Sequence, residues 1–139
     1  MAKIDSTTYR EIKDFNKKEW KQADKEYYGK DVRWKEKTLF LKATEGKKII
    51  GSLKMHIEGR VVEVSSIIIA KDFRGKGVGR KLMEGAENLA KKLRCHKMWL
   101  ETGEGWDAEY LYKSLGYKTT TKLPKHYLKR DFILYTKFI

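Results

Sequence analysis

The stretch from Val61 to Ala70, rich in valine and isoleucine, runs through Arg74-Gly75-Lys76-Gly77-Val78-Gly79-Arg80 into a segment with apolar residues at Val78, Leu82, Ala86, Leu89 and Leu93. Spacings of four, four, three and four describe one face of an amphipathic helix. The β-branched run before it reads as a strand, and the Ile67-Ile68-Ile69 triplet predicts a strand covered on both faces at the centre of a sheet. A further strand, Lys97 to Thr102, follows the helix. Strand, helix, strand is a right-handed crossover, so the two strands should lie parallel in one sheet.

The flanking segments extend this core. Thr8 and Glu11 have capping-box spacing, and Ile12, Phe15, Trp20, Ala23 and Tyr27 recur at helical intervals, predicting a helix from about Tyr9 to Tyr28 that Gly29 ends. Asp31 to Lys37 is open between loop and a short helix. Leu39, Leu41 and Ala43 then alternate up to a turn at Glu45-Gly46, and Ile49 to Ile57 leads to a second turn at Glu58-Gly59. With the strand from Val61 this makes a three-stranded antiparallel meander. Beyond the crossover, Ala108, Leu111, Tyr112 and Leu115 share one helix face, and Gly116 stops that helix. Tyr117 to Leu123 and Phe132 to Phe138 read as a closing hairpin interrupted by Pro124.

At 139 residues the chain is long enough for one hydrophobic core, so a single domain spanning 1–139 is expected. No stretch approaches a membrane span and the start MAKIDSTTYR lacks a secretion signal, which predicts a cytoplasmic protein. The single cysteine, Cys95, excludes a disulfide framework and reads as inert packing. His56, His96 and His126 show no ligand spacing, so no metal is expected. The net charge of +13 predicts attraction to anions. Acids are interleaved with the bases, as in Glu87 to Lys91 and Glu109 to Lys113, and no concentrated basic stripe occurs, which argues against nucleic acid.

Glycines between a buried strand and a helix start let the backbone curl, so that its amides and the free N–H groups of the first helical turn form a concave donor site for phosphate oxygens. Arg74, Lys76 and Arg80 add formal charge. The P-loop pattern fails because its Lys-Ser/Thr pair is missing, and the dinucleotide fingerprint fails because its third glycine is Arg80 or Leu82. Arg-x-x-Gly-x-Gly, with Arg74, Gly77 and Gly79, is the pattern that fits.

In this context Ile67 to Gly79 resembles the acyl-CoA-binding segment of the GNAT superfamily of N-acetyltransferases. Ala108-Glu109-Tyr110-Leu111-Tyr112-Lys113-Ser114-Leu115-Gly116-Tyr117 is similar to that family's Ala-x-x-x-Tyr-x-x-x-Gly-Phe/Tyr segment. The strong resemblance covers Val61 to Tyr117. It implies an α/β fold with a mixed sheet, an antiparallel N-terminal meander, flanking helices, and a central parallel pair splayed around acyl-CoA. An N-terminal strand would have to be Ala2 to Asp5. It further implies acetyl-CoA as cosubstrate, with pantetheine against the backbone of Ile67 and Ile69 and pyrophosphate on the amides of Gly75, Lys76, Gly77, Val78, Gly79 and Arg80 beside Arg74. The implied activity is direct acetyl transfer to a primary amine of a small molecule or protein.

Such transfer needs a neutral amine and a proton donor for the departing thiolate. The resemblance implies Tyr112 as the acid. Glu63, six residues before Ile69, matches a glutamate that serves as base in some members, and among Val61, Val62 and Val64 it would be partly desolvated. The family's asparagine three residues before Ala108 is replaced by Gly105. Glu101, Glu104, Asp107 and Glu109 concentrate negative charge beside the expected thioester and either attract a cationic amine or are ordinary helix-start acids. Trp20, Trp34 and Trp106 either line the acceptor side or, the better reading for each, pack as core aromatics. A monomer or homodimer fits, and the rival class is a non-catalytic module, either an acyl-CoA sensor or a basic RNA-binding protein.

Overall fold

The computed structural model describes residues 1–139 and divides into two compact units, Met1–Trp34 and Lys35–Ile139. In the first, helix α1 spans Tyr9–Tyr28 and ends at Gly29, whose left-handed φ of 72° lets its N–H return to the Lys25 carbonyl. Thr8 makes no side-chain cap; Thr7 donates to Glu11 instead, at 2.7 Å. Ala2 to Asp5 is not a strand, since these four exposed residues pair with no other segment. Trp34 bonds through its indole N–H to Asp24 and stacks edge-on against Tyr28, while Trp20 is exposed, so neither is a core tryptophan of the kind expected.

The second unit is a six-stranded mixed sheet. Strands β1 (Lys37–Glu45), β2 (Lys48–Glu58) and β3 (Val61–Ile69) form the expected antiparallel meander, and the Asp31–Glu36 segment before them is loop. Helix α2 (Val78–Lys92) crosses to β4 (Lys97–Gly103), which pairs parallel with β3. Helix α3 (Ala108–Ser114) leads to the hairpin β5 (Lys118–Leu123) and β6 (Phe132–Phe138), and the sheet order is β1-β2-β3-β4-β6-β5. The exposed edge strand β5 carries Lys118 and Lys122, which discourage pairing with another sheet edge. No helix is long and apolar enough to cross a membrane.

Strand periodicity builds the core. Leu53, Met55 and Ile57 on β2, Val62 and Val64 on β3, Met98 and Leu100 on β4, and Ile133 and Tyr135 on β6 meet Leu82, Met83, Ala86 and Ala90 of α2. Two of these buried side chains, Met98 and Leu100, are each expected to contribute roughly 1.5–3 kcal/mol by leaving water. One buried charge sits at the core's edge: Glu87 of α2 accepts from Lys137 of β6 at 2.9 and 3.0 Å and from the Tyr117 hydroxyl at 3.2 Å. This pairing replaces the expected helix-surface contact of Glu87 with Lys91, because Glu87 lies on the buried face of α2. Cys95 is buried and its thiol is pushed up by burial, consistent with packing.

Two features position a cleft. Lys54 pairs with Ser66 and Met55 with Val64, which leaves Ser65 as a bulge that bends β3. The parallel ladder holds only Val61, Val62 and Glu63 against Lys97, Met98 and Trp99, although β3 continues to Ile69 and β4 to Gly103. Beyond Glu63 and Trp99 the strands part. The isoleucine triplet is therefore not covered on both faces: Ile68 is 60% exposed, while Ile67 and Ile69 are half-buried beside the opening.

Candidate functional site at the parted strands

On the β3 side of the opening, the Ala70 N–H donates to Ile50 of β2 at 2.8 Å. Because the peptide is planar and trans, the Ile69 carbonyl points the opposite way, toward the gap. Strand alternation gives the Ile67 backbone the same direction. These are the two residues expected to face a cofactor. The Ile69 carbonyl already accepts the Arg74 Nε at 3.0 Å, which pins the arginine to the rim of the cleft.

From Ile69 the chain makes a single 3-10 turn at Lys71–Phe73 and bends at Gly75 and Gly77, whose φ values of 72° and 83° favour glycine. The first backbone bond into α2 is Lys81 to Gly77, and the N–H groups from Gly75 to Arg80 take no part in the backbone hydrogen bonds of the turn. No side chain caps α2 and its first turn holds no acid, so the positive end of the helix is unneutralised. Gly79 answers a different need, since a Cβ there would lie 3.1 Å from Leu111 Cδ2, where α2 and α3 approach closely. Arg80 reaches across that contact to the Ser114 hydroxyl at 2.6 Å. Lys76 and Lys48 both lie over the Phe73 ring, at 5.5 and 5.6 Å. Lys48 is the cation that sequence reasoning missed, because β2 brings it to the loop from far upstream.

Tyr112 of α3 is buried in the core, tilted against Tyr117 and Tyr135 with ring centroids 6.2 and 6.1 Å away. Burial pushes its hydroxyl up to about 12, so it remains a proton donor at neutral pH. Glu63 is half-buried on the opposite face of the sheet, in register with His56 on β2 and Trp99 on β4. The expected cage of valines is corrected here: Val62 and Val64 point to the α2 side and only Val61 shares the face of Glu63. Tyr112 and Glu63 thus lie on opposite faces of the sheet, Tyr112 in the core on the α2 side.

The acidic cluster is largely engaged within the protein. Glu101 accepts from His126 at 2.9 Å, Glu104 meets Lys122 at 3.1 Å, and Glu109 accepts from both the Tyr135 hydroxyl and the Gly105 N–H. Those two bonds hold the Glu109 carboxyl below its ordinary range. Gly105, standing where an asparagine was expected, has φ of 82° and offers its backbone to Glu109 rather than a side chain to the cleft. Trp106 packs on Gly103, where any Cβ would strike the indole, and edge-on against Phe132; it is 56% exposed and not a core residue.

A family model described as "Acetyltransferase (GNAT) family" matches residues 6–117. The chain belongs to the GNAT acetyltransferase family. Among solved structures, the GNAT chain is similar to an acetyltransferase from Bacillus cereus, with a TM-score of 0.79, 19% identity, and 99% of this chain and 98% of that one covered. It is also similar to the Escherichia coli ribosomal-protein-S18-alanine N-acetyltransferase, with a TM-score of 0.69, 22% identity, and 73% and 69% covered. A GNAT protein from Elizabethkingia anophelis with acetyl-CoA bound gives a TM-score of 0.69 at 20% identity, covering 86% and 83%. These similarities confirm the expected fold. Among curated proteins, mouse N-alpha-acetyltransferase 80 is 38% identical over 55 residues, 40% of this chain; the match spans only 17% of the mouse protein.

Proposed function

We propose that residues 1–139 act as one acetyl-CoA-dependent N-acetyltransferase domain in the cytoplasm, moving acetyl directly to a primary amine. The observation that carries this reading is the parallel ladder that stops at Glu63 and Trp99 beside a turn whose N–H groups from Gly75 to Arg80 are unengaged. A pantetheine arm can use the backbone of Ile67 and Ile69 as a strand would, and the turn with Arg74, Lys76 and Arg80 suits a pyrophosphate. The residues present fit the cosubstrate, which supplies the activated acetyl group as a thioester.

In the proposed chemistry, Glu63 takes a proton from the incoming ammonium, directly or through water, and the freed nitrogen lone pair attacks the thioester carbon. The carbon–sulfur bond breaks, Tyr112 protonates the departing thiolate, and the second proton, shed by the acetylated nitrogen, returns through solvent to the tyrosine oxygen. A base and an acid on opposite sheet faces suit entry of amine and departure of thiol from opposite sides. Similarity to the E. coli ribosomal-protein-S18-alanine N-acetyltransferase and to mouse N-alpha-acetyltransferase 80 favours a protein α-amine as acceptor.

The test is incubation with acetyl-CoA and a panel of small amines, lysine peptides and peptides with free N-termini, following thiol release. Turnover on one class supports the enzyme. Tight CoA binding without turnover on any class replaces it with a sensor. Salt-sensitive RNA binding without CoA binding replaces it with a nucleic-acid module.

A further inference from the structure

One strand from Glu63, at the start of β1 and the end of β2, three side chains converge around His56, the register partner of Glu63. His56 Nε2 lies 2.9 Å from Glu36 Oε1 and 3.9 Å from Glu58 Oε2, and the three ligand atoms fall within 4.8 Å of one another. His56 and Glu58 are two apart on one strand, so they share a face, and Glu36 immediately precedes β1, which pairs with that strand. On the other side of the ring, Nδ1 is 3.1 Å from the hydroxyl of Thr38, the register partner of His56 on β1.

The electrostatics call for a cation. When Nδ1 carries the proton and donates to Thr38, the Nε2 lone pair and two carboxylates face one another with no donor between them. The ion pairs of Glu36 and Glu58 are to His56 alone, although the chain holds 32 lysines and arginines. A proton on Nε2 satisfies Glu36 at 2.9 Å but leaves Glu58 at 3.9 Å. A metal ion serves all three. Tetrahedral bonds of about 2.0–2.2 Å separate neighbouring donors by about 3.3–3.6 Å, and the two observed separations bracket that span.

We propose that Glu36, His56 and Glu58 bind one divalent transition-metal ion of the zinc type, with Thr38 orienting the imidazole. Two carboxylates neutralise the ion's charge, and the imidazole favours zinc over magnesium. A ligand from solvent completes the coordination. The site ties the entry of β1 to the end of β2, and sequence spacing hid it because Glu36 joins only through the strand pairing.

The test is titration of the untagged, chelator-stripped full chain with zinc by calorimetry, with native mass spectrometry for stoichiometry. One ion per chain is expected, with a micromolar or tighter Kd and magnesium far weaker. His56→Ala and the Glu36→Gln/Glu58→Gln pair are expected to weaken zinc by about 100-fold, and Thr38→Val by about tenfold as an outer partner. Melting curves without metal establish that each variant is folded. Absence of stoichiometric zinc binding by the parent chain overturns the proposal, as does binding that the folded His56 and glutamate variants leave unchanged, which places the ion elsewhere.

Discussion

The guanidinium of Arg74 donates to the main-chain carbonyl of Ile69 at 3.0 Å, joining the last residue of β3 to the glycine loop. The bond closes a five-residue span, so the side chain holds both the rim of the cleft and a positive charge at its mouth. Arg74→Gln is expected to raise the acetyl-CoA Kd by about tenfold, the scale of one charge-assisted hydrogen bond. Calorimetry at two salt concentrations checks it: the variant's Kd should depend less steeply on salt than the parent's.

Gly77 bears φ of 83° with open space where a Cβ would stand, so its substitution costs backbone energy alone. Gly77→Ala is expected to destabilise the chain by about 1 kcal/mol, read from denaturant unfolding. Acetyl-CoA affinity should fall more than stability does, because the amides that lose their aim are those at the helix start.

The Tyr112 hydroxyl, pushed up to about 12 by burial, stays protonated through the neutral range and contributes no basic limb to a rate profile there. Tyr112→Phe keeps the ring and removes the proton. The kcat is expected to fall by about 100-fold or more, with acetyl-CoA affinity unchanged. Equal loss in binding and turnover would assign the ring, rather than the hydroxyl, the decisive part.

Glu109 takes hydrogen bonds from Tyr135 and Gly105 in its charged form, so its carboxyl sits below the ordinary value of about 4.3. Its contribution to stability is therefore complete at neutral pH and is lost as pH falls below that ordinary value through the lowered one. Glu109→Gln should lower the melting temperature near neutrality, and the gap to the parent should narrow at about pH 3. A constant gap would tie the loss to packing instead of charge.

The order of strands and helices, the crossover and the glycine bend were legible because each depends on local chemistry. Alternation marks β1 to β3, a 3.6-residue period marks α2, and Gly29, Gly59 and Gly116 stand at turns with positive φ. The pattern of the loop and of α3 was sufficient to place the chain in its family. Local signals failed where a residue's partner is distant, as with Glu87, which the helix period assigns to Lys91 and the fold gives to Lys137.

The sequence by itself determined which residues are strands and helices and where a free set of amides would stand, since dihedral preference and apolar period act over a few residues. Tertiary structure alone decided how far β3 and β4 run together, that Lys48 reaches Phe73, that Val62 and Val64 turn away from Glu63, and that Glu36 meets His56. Those outcomes depend on register and bulges between strands far apart in the chain. A one-residue slip there would exchange one sheet face for the other without altering any local pattern.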